Sequence, residues 1–535
     1  MPIFKNALKI SLVASLVLTL GSCAKRHKFD LKVYPEQNAV NVQPDTRLVI
    51  VFPEGTTPTR CASGLICIYD AINDTLVDKI DISIPDGPTT KPRSAQVDHR
   101  IENPYDYSRS VIATNRNTVP DTPSSSEAAR AKDMRLKNDS SQFQISIIGG
   151  FTDGFHFHPV LINNNRVIIQ PHHNMITYKN RYYVTIDKSV LDNAGDSWHG
   201  VTKEDKWTFS TAGNAMGVAR GIYTVDPEGN GDFTTIQGAF ENLPDSCQDT
   251  IIIRVAPGDY EELIYFRNKT HVRLVGSGAD KTLIHYRNSD TFNLSPIRSR
   301  SSEQDGAFPN RNAVMHIDNC SDIVIENLSV TNDEPDVNLH TPAMWINGER
   351  IMIQGCNLQG GRSTLMARGK VYIKNSKLIG NYDMISTLGA LYLDDCLLLN
   401  NNGPYCWVHN DANRHGLVLK ECTFQSLGTG ISDLGRTNGL NMPQYPNAEM
   451  VLLNCVLKNI QPGGWTVICS PTCFFAEYNS KMSNGQIIDN SCRHPYAKWL
   501  EMPKDNEVIQ HYSSPAWFFG GWNPDDVFRE KYKRM

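Results

Sequence analysis

Six ten-residue segments repeat one pattern of apolar positions, and this pattern decides the fold. The segments are IVIENLSVTN (323–332), IMIQGCNLQG (351–360), VYIKNSKLIG (371–380), LYLDDCLLLN (391–400), LVLKECTFQS (417–426) and MVLLNCVLKN (450–459). Each is apolar at its first, third and eighth positions, and the shortest spacing between segments is about 20 residues. Turns of a parallel β-helix stack strand upon strand while their loops lengthen freely. We therefore predict an all-β chain with a right-handed parallel β-helix.

Leucine-rich repeats have a similar period, but their LxxLxLxxN pattern and helical return are absent from these segments. In a β-helix, outward side chains of adjacent turns meet even when they are 20 or more residues apart in sequence. The long, shallow groove that results suits an extended polymer such as a polysaccharide.

Composition excludes several other classes of protein. The chain has 535 residues, of which 40% are hydrophobic and 20% charged, as in an ordinary globular protein. Its formal net charge of -5 provides no broad positive field, so we expect no nucleic-acid partner. His, Asp and Glu do not recur together at metal-ligand spacing, so no metal site is expected.

The N-terminal residues resemble the export signal of bacterial lipoproteins. A largely apolar stretch at 10–20 has the length of a signal-peptide core and is too short to span a bilayer. It leads into Leu-Gly-Ser-Cys at 20–23, which resembles a lipobox whose cysteine is acylated. We expect residues 1–22 to be a signal peptide and Cys23 to anchor the protein in the outer membrane of a bacterial envelope. The alternative is a soluble secreted protein.

Residues 23–213 contain short alternating strands, such as RLVIVF at 47–52 and YYVTID at 182–187, separated by turn residues. This pattern predicts an antiparallel β-sandwich. The stretch resembles the Ig-like modules that precede catalytic domains in bacterial surface proteins that degrade glycans. Residues near 115–140 are polar and have few large apolar side chains, which predicts a mobile excursion from the sandwich.

Thirteen cysteines in a chain expected to be exported raise the question of disulfides. Four of them share the sixth position of the repeated segments, where a small side chain stacked in a core suffices, and we expect buried thiols there: Cys356, Cys396, Cys422 and Cys455. Better disulfide candidates are two other pairs: Cys61 with Cys67, and Cys469 with Cys473.

Four phrases follow one another in the second part of the chain. They are VDPEGNGDFTTIQGAFENLP at 225–244, which contains G-x-G-x-[FY]-x-T-I-Q-x-A, a G-x-Y-x-E phrase at 258–262, a G-x-G-x-x-x-T-x-I phrase at 276–284 and PGGWTVI at 462–468. In their residues and their order, these phrases resemble the pectin methylesterase (pectinesterase) family over residues 218–525. The resemblance implies a pectin-lyase-like solenoid that needs no cofactor and acts on pectic polysaccharide or oligogalacturonide. We expect a monomer.

Members of this family hydrolyse the methyl ester of galacturonate with two aspartates on neighbouring turns. One attacks the ester carbonyl, and the other protonates the departing methanol and then activates water. An arginine holds the nucleophile, and two glutamines help to stabilise the oxyanion. Methoxide is a poor leaving group, so a carboxylate nucleophile needs both a proton donor and charge stabilisation.

Part of this machinery carries over to the present chain. The family's D-F-I-F-G phrase falls on residues 383–387 and keeps the nucleophile as Asp383. Its L-G-R-P-W phrase falls on residues 434–438 and keeps the arginine as Arg436, with Asn438 in place of the tryptophan.

Two other phrases are altered. G-Y-Q-D-T-L falls on residues 360–365, so Arg362 replaces a glutamine and Ser363 replaces the acid/base aspartate. Q-A-V-A-L falls near HTPAMW, which places His340 or Thr341 at the first glutamine. A serine cannot donate a proton near neutral pH.

Three functions follow from these matches and losses. The first is a divergent esterase in which Asp383 attacks and Arg436 orients it, while Arg362 stabilises the oxyanion and His340 supplies the proton. The second is an impaired relative that binds pectic chains without turnover. The third is another ester hydrolase, or a lyase, acting on pectic glycans in the same groove.

Further side chains are expected to contact the substrate. We assign this role to Thr341, Met384, Asn438 and Trp465. Trp345 and Trp407 are additional candidates for stacking on a sugar ring. Arg368 and Arg414 either extend a positive groove that would hold polyanionic galacturonan or lie on solvated turns.

Overall fold

The structure is a computed structural model that describes the following residues: 31–89, 143–149, 154–173, 175–214, 221–293, 311–428, 432–438 and 445–531. The expected signal peptide, the Cys23 anchor and the excursion near 115–140 lie outside the described residues. No helix in the described part of the chain is both long and apolar enough to cross a membrane.

The first domain packs two sheets around one apolar core. Its strands are β1 (Lys32–Tyr34), β2 (Ala39–Val42), β3 (Leu48–Val51), β4 (Thr59–Arg60), β5 (Leu65–Asp70), β6 (Thr75–Asp81), β7 (Ile145–Ile147), β8 (Gly154–His156), β9 (Val160–Asn163), β10 (Arg166–Ile169), β11 (Arg181–Ile186), β12 (Leu191–Asp192) and β13 (Thr208–Thr211). One sheet has the order β1-β3-β10-β9 and the other β2-β13-β11-β5-β6. Neighbours in both sheets are antiparallel except β2 and β13. Alternate side chains meet between the sheets in a shared core.

The second domain is a solenoid of short parallel strands. They are β14 (Ile222–Val225), β15 (Ile251–Val255), β16 (Gly258–Glu261), β17 (Ile264–Arg267), β18 (Thr270–Val275), β19 (Thr282–Tyr286), β20 (Met315–Glu326), β21 (Ser329–Asn332), β22 (Met344–Gln354), β23 (Asn357–Gln359), β24 (Leu365–Lys374), β25 (Lys377–Gly380), β26 (Ile385–Thr387), β27 (Ala390–Asp394), β28 (Leu397–Asn400), β29 (Cys406–Val408), β30 (Leu417–Lys420), β31 (Thr423–Ser426), β32 (Gly435–Arg436), β33 (Glu449–Leu453), β34 (Val456–Lys458), β35 (Phe474–Tyr478), β36 (Lys481–Met482) and β37 (Lys498–Trp499). The helices are α1 (Ile236–Glu241), α2 (Asn506–Ser513), α3 (Pro515–Phe518) and α4 (Pro524–Lys531), with short 3-10 turns in the sandwich at Lys188–Val190 and Lys203–Asp205.

The solenoid strands form one sheet of 15 strands and one of nine, and consecutive turns pair in parallel. The 15-stranded sheet bends, so that it supplies two faces of the coil. Gly369 lies at this bend with a φ of 97°, and a Cβ there would stand 1.9 Å from the carbonyl oxygen of Gly348. We call the face built from β17, the first halves of β20, β22 and β24, and then β26, β29 and β32 the site face.

The repeated segments occupy corresponding places in successive turns, which confirms the predicted parallel β-helix. Their third-position side chains form a fully buried stack: Ile325, Ile353, Ile373, Leu393, Leu419 and Leu452. The sixth-position thiols are also buried and free, as predicted: Cys356, Cys396, Cys422 and Cys455. The period is visible in the sequence because each turn repeats the same inward-facing positions.

Neither of the two candidate cysteine pairs forms a disulfide in the structure. Cys61 and Cys67 are free thiols. Cys469 and Cys473 have sulfur atoms 3.8 Å apart, which is a non-bonded contact, since a disulfide requires about 2.05 Å.

The sandwich packs on the first turns of the solenoid through polar contacts. The carboxylate of Asp45 accepts hydrogen bonds from the backbone N–H groups of Thr234 and Thr235, at 2.9 and 2.7 Å, just before α1. Arg47 donates through Nη2 to the carbonyl oxygen of Glu261 at 2.7 Å. His173 pairs with Glu241 on α1. These contacts tie the two domains together at the end of the solenoid that lies farthest from Arg436.

Candidate active site

Asp383 is the buried carboxylate at the centre of the site face. It lies in the turn that precedes β26, with a left-handed φ of 51°, and its side chain is 0% exposed. Its backbone N–H donates to the carbonyl oxygen of Pro404 in the next turn at 2.9 Å. Aspartate tolerates this conformation better than most residues, and such strained positions are concentrated at functional sites.

Arg436 holds this carboxylate with both ends of its fork. Nε donates to Oδ1 at 2.8 Å and Nη2 donates to Oδ2 at 2.7 Å. The guanidinium also lies 4.8 Å from the ring centroid of Trp407. A planar bidentate pair of this kind fixes the position and orientation of a carboxylate better than a single contact does. The structure thus brings together Asp383 and Arg436, which the sequence motifs single out although they are far apart in the chain.

Arg362 is a second cation against the same carboxylate. It lies in the turn that precedes β24, and its Nη2 is 3.5 Å from Oδ2 of Asp383. Its guanidinium lies 5.2 Å from the ring centroid of Tyr382, and its side chain is 34% exposed. Among the described residues, its buried Nε has no hydrogen-bond acceptor.

Ser363 stands one turn before Asp383, at the equivalent place in the coil. The strand register shows this directly. Leu365 pairs with Ile385, and Ser363 precedes Leu365 by two residues just as Asp383 precedes Ile385 by two residues. Ser363 is almost fully buried and uncharged. The position beside the nucleophile therefore offers no carboxylic acid to protonate a leaving group.

His340 and Thr341 lie one turn before Arg362. His340 forms a parallel backbone bridge with Arg362, and the N–H of Thr341 donates to the carbonyl oxygen of Arg362 at 3.2 Å. The half-buried His340 is thus two turns from Asp383, a backbone separation of about 10 Å at the usual spacing of parallel strands. The carbonyl oxygen of His340 accepts from Nδ2 of Asn312 at 3.0 Å, which fixes its backbone.

All four side chains expected to contact the substrate are buried in the structure: Thr341, Met384, Asn438 and Trp465. Met384 belongs to the apolar core of the coil. Trp465 is 3% exposed and packs edge-on against Phe475, so it presents no open face to a sugar. The hydroxyl of Thr341 accepts from the N–H of Gly361 at 2.9 Å. Asn438 accepts from Nε1 of Trp407 at 2.7 Å and so acts as a support for that ring.

The other aromatic and basic candidates divide in the same way. Trp345 is buried and stacks on His316 with ring centroids 4.9 Å apart, so it is not a sugar platform. Trp407 is half-buried on the site face. Arg368, on strand β24, and Arg414, between β29 and β30, are both exposed.

Sequence reasoning missed His409, which lies two residues after Trp407 and packs edge-on against it with ring centroids 4.4 Å apart. Its Nε2 is 3.5 Å from Oγ of Ser386. Burial, together with the charge of Arg436, lowers the pKa of His409 to about 4. The ring is therefore neutral at ordinary pH. Only its spacing of two residues from Trp407, just past the end of β29, could have drawn attention to it in the sequence.

Asp433 was also missed. It occupies the same place in the coil as Asp383, two turns later, just before the Leu-Gly-Arg phrase. Burial raises its pKa, against the opposing effect of a hydrogen bond with Thr466. Its position in the stack, rather than any motif, is what identifies it.

Within the described ranges, no group of three or more His, Cys, Asp and Glu side chains is arranged to hold a metal ion.

A parallel β-helix with a paired aspartate and arginine on one face is the architecture that the sequence motifs implied, and comparison with known proteins defines the class. The chain belongs to the pectinesterase family, whose model matches residues 223–515, more than half of the chain. This confirms the resemblance seen in the sequence.

Individual relatives include plant and bacterial proteins. The chain is 24% identical to Pectinesterase 5 of Arabidopsis thaliana over 56% of its own length, and spans 50% of that protein. It is 27% identical to Probable pectinesterase 49 of the same plant, covering 52% of this chain and 77% of that protein. Among solved structures, the chain is similar to pectin methylesterase PemA from Erwinia chrysanthemi, with 15% sequence identity and a TM-score of 0.44. The match covers 56% of this chain and 97% of PemA.

Proposed function

We propose that the solenoid hydrolyses methyl esters of galacturonate in pectic polysaccharide, releasing methanol and leaving free galacturonate, with Asp383 as the nucleophile. The observation that carries this proposal is the bidentate contact of Arg436 with Asp383 on the site face of a pectinesterase-family β-helix. The guanidinium aims a carboxylate oxygen at the ester and keeps its position fixed through the reaction.

In the first half-reaction, an oxygen of Asp383 bonds to the ester carbonyl carbon, and negative charge develops on the carbonyl oxygen. Arg362, whose Nη2 is 3.5 Å from Asp383, is placed to stabilise that charge. The carbon–oxygen bond to the methoxy group then breaks, and methanol leaves with a proton that we assign to His340. This leaves an acyl-enzyme in which Asp383 is joined to the galacturonyl group as an anhydride.

In the second half-reaction, water attacks the galacturonyl carbon and gives its proton to His340. The bond to Asp383 breaks, which regenerates the carboxylate and releases galacturonate. His340 is the proposed donor because its backbone pairs with that of Arg362 and because an imidazole titrates near neutral pH. Ser363 cannot take this role.

A second candidate function is pectin binding without turnover. Two observations favour it: the residue at the acid/base position is Ser363, and the side chain of Asp383 is 0% exposed beneath two guanidinium groups. Removing a general acid costs on the order of 10² to 10⁴ in rate.

The test is methanol release from highly methyl-esterified pectin and from methylated galacturonate oligomers by the wild type, Asp383→Ala, His340→Asn and Ser363→Asp. Release by the wild type, with loss in Asp383→Ala and a reduction of at least about 10²-fold in His340→Asn, supports the esterase. Release only after Ser363→Asp would support a binding protein that has lost its acid.

We further propose that the protein acts as a monomer and that Cys23 anchors it to the cell envelope. The Leu-Gly-Ser-Cys sequence at 20–23 supports the anchor. Metabolic labelling with a fatty acid tests this assignment, since Cys23→Ala should abolish incorporation and release the protein from membranes. Labelling that persists in Cys23→Ala would contradict it.

A further inference from the structure

The nucleophile is covered in the free enzyme, and the two cations that cover it are held very differently. Arg436 makes two short hydrogen bonds to Asp383 and a third, at 3.1 Å, to the carbonyl oxygen of Thr437. Arg362 makes one long contact of 3.5 Å, and its side chain is 34% exposed against 14% for Arg436. Because the carboxylate is 0% exposed, an ester can reach it only after a covering group moves. Arg362 is the group that is free to do so.

The charges at this place do not balance. Two guanidinium groups face one carboxylate, and the adjacent position in the coil, where a second carboxylate would neutralise them, is Ser363. Tyr382 lies against the guanidinium of Arg362, with the ring centroid 5.2 Å away, and supports the flat cation on one side, while 34% of the Arg362 side chain is exposed. Its buried Nε has no acceptor among the described residues. A supported guanidinium with unused donors is suited to binding a planar anion through two parallel hydrogen bonds.

We propose that Arg362 binds the free carboxylate of a galacturonate residue that neighbours the ester, so that the enzyme selects partly de-esterified stretches of pectin. This inference rests on the proposed function. The polymer itself supplies the anion, since every unesterified residue carries one carboxylate on the same chain as the target ester. Pairing with that carboxylate draws Arg362 away from Oδ2 of Asp383 and opens the nucleophile to the ester. One guanidinium nitrogen remains able to face the reacting carbonyl, because the fork carries five N–H donors.

The first arm of the test measures binding without any reaction. Fully de-esterified hexagalacturonate, which contains no ester, is titrated by calorimetry into the wild type, Arg362→Gln and Arg254→Gln. The control is Arg254, an exposed arginine on strand β15, outside the site face. Arg362→Gln should weaken binding about 10- to 100-fold, as expected for loss of a charge-assisted pair of hydrogen bonds, while Arg254→Gln should change it less than about twofold. Equal affinity of Arg362→Gln and the wild type would overturn the inference.

If Arg362→Gln does not fold, Arg362→Lys serves in its place. A lysine keeps the charge but cannot match two carboxylate oxygens, so affinity should fall at least about fivefold. Unchanged affinity in a folded Arg362→Lys would overturn the inference.

The second arm compares kcat/KM for methanol release from fully esterified and from half-esterified hexagalacturonate. The wild type should prefer the half-esterified oligomer, and Arg362→Gln should lose that preference. The two arms separate the two ideas. Binding that depends on Arg362 without methanol release from any substrate would defeat the proposed function and leave only the contact between Arg362 and a free carboxylate standing. Methanol release with neither a preference nor a binding difference at Arg362 would defeat the inference alone.

Discussion

Replacing Arg436 with glutamine tests the energetic role of the central pair. The carboxylate of Asp383 is 0% exposed and accepts 2.8 and 2.7 Å hydrogen bonds from Arg436, so removal of the guanidinium leaves a buried charge with one cation at 3.5 Å. Breaking a buried ion pair from one side typically costs about 3–5 kcal/mol. We expect the cost to lie at the lower end of that range, because Arg362 still compensates part of the buried charge of Asp383. The loss predicted for Arg436→Gln is therefore about 3 kcal/mol.

The assay is urea unfolding of the wild type, Arg436→Gln, Asp383→Asn and the double variant. Because the two side chains interact directly, the double variant should be at least about 2 kcal/mol more stable than the sum of the single losses predicts. A matched control is Arg350→Gln, since Arg350 makes the same bidentate contact with Asp322, at 2.7 and 2.6 Å, but with side chains 42% and 28% exposed.

Loss of that exposed pair should cost less than about 1 kcal/mol. The reasoning is refuted if Arg436→Gln costs no more than Arg350→Gln, or if the losses of Arg436→Gln and Asp383→Asn add within about 0.5 kcal/mol.

Three further predictions concern the fold. Gly369→Ala should strongly lower the free energy of unfolding and the melting temperature, because a Cβ there meets the carbonyl oxygen of Gly348 at 1.9 Å. The control is Gly55→Ala, which has a φ of 83° but no atom within 4 Å and should cost only about 1 kcal/mol. Equal losses of stability in the two variants would contradict this. Burial lowers the pKa of His156 to about 4, so below pH 6.5 the unfolded chain takes up a proton that the folded protein excludes. Stability should fall by up to about 3 kcal/mol between pH 6.5 and 4, and His156→Gln should flatten that dependence in pH-resolved unfolding. Asp45→Ala removes the acceptor for two backbone N–H groups before α1 and should lower the free energy of unfolding by about 1–2 kcal/mol. It should also increase proteolysis between the domains. An unchanged cleavage rate would argue that this contact does not hold the domains together.

The fold could be predicted because buried apolar side chains recur at the same positions in each repeated segment. Each turn buries the same positions, as the stack from Ile325 to Leu452 shows, and insertions between turns leave that pattern intact. The pairing of Asp383 with Arg436 could be predicted because both stand in recognisable phrases just before or within strands of one face.

The burial of the side chains expected to contact the substrate could not be predicted in this way. A motif match names a residue but does not say which side of the strand its side chain occupies, and Met384 and Trp465 both point into the coil. His409 and Asp433 were missed for the opposite reason, since they become neighbours of the site only through stacking of turns far apart in sequence. The cover that Arg362 forms over Asp383 depends on a side-chain contact between turns, which no spacing rule describes.

The central claim is that Asp383 is the nucleophile of a pectinesterase. The most direct measurement is peptide mass spectrometry of enzyme quenched in acid during turnover of methyl-esterified hexagalacturonate. The account predicts that the peptide containing Asp383 carries the oligogalacturonyl group, and that Asp383→Asn shows neither this adduct nor methanol release. Methanol release with that peptide unmodified, and with Asp383→Asn as active as the wild type, would contradict it.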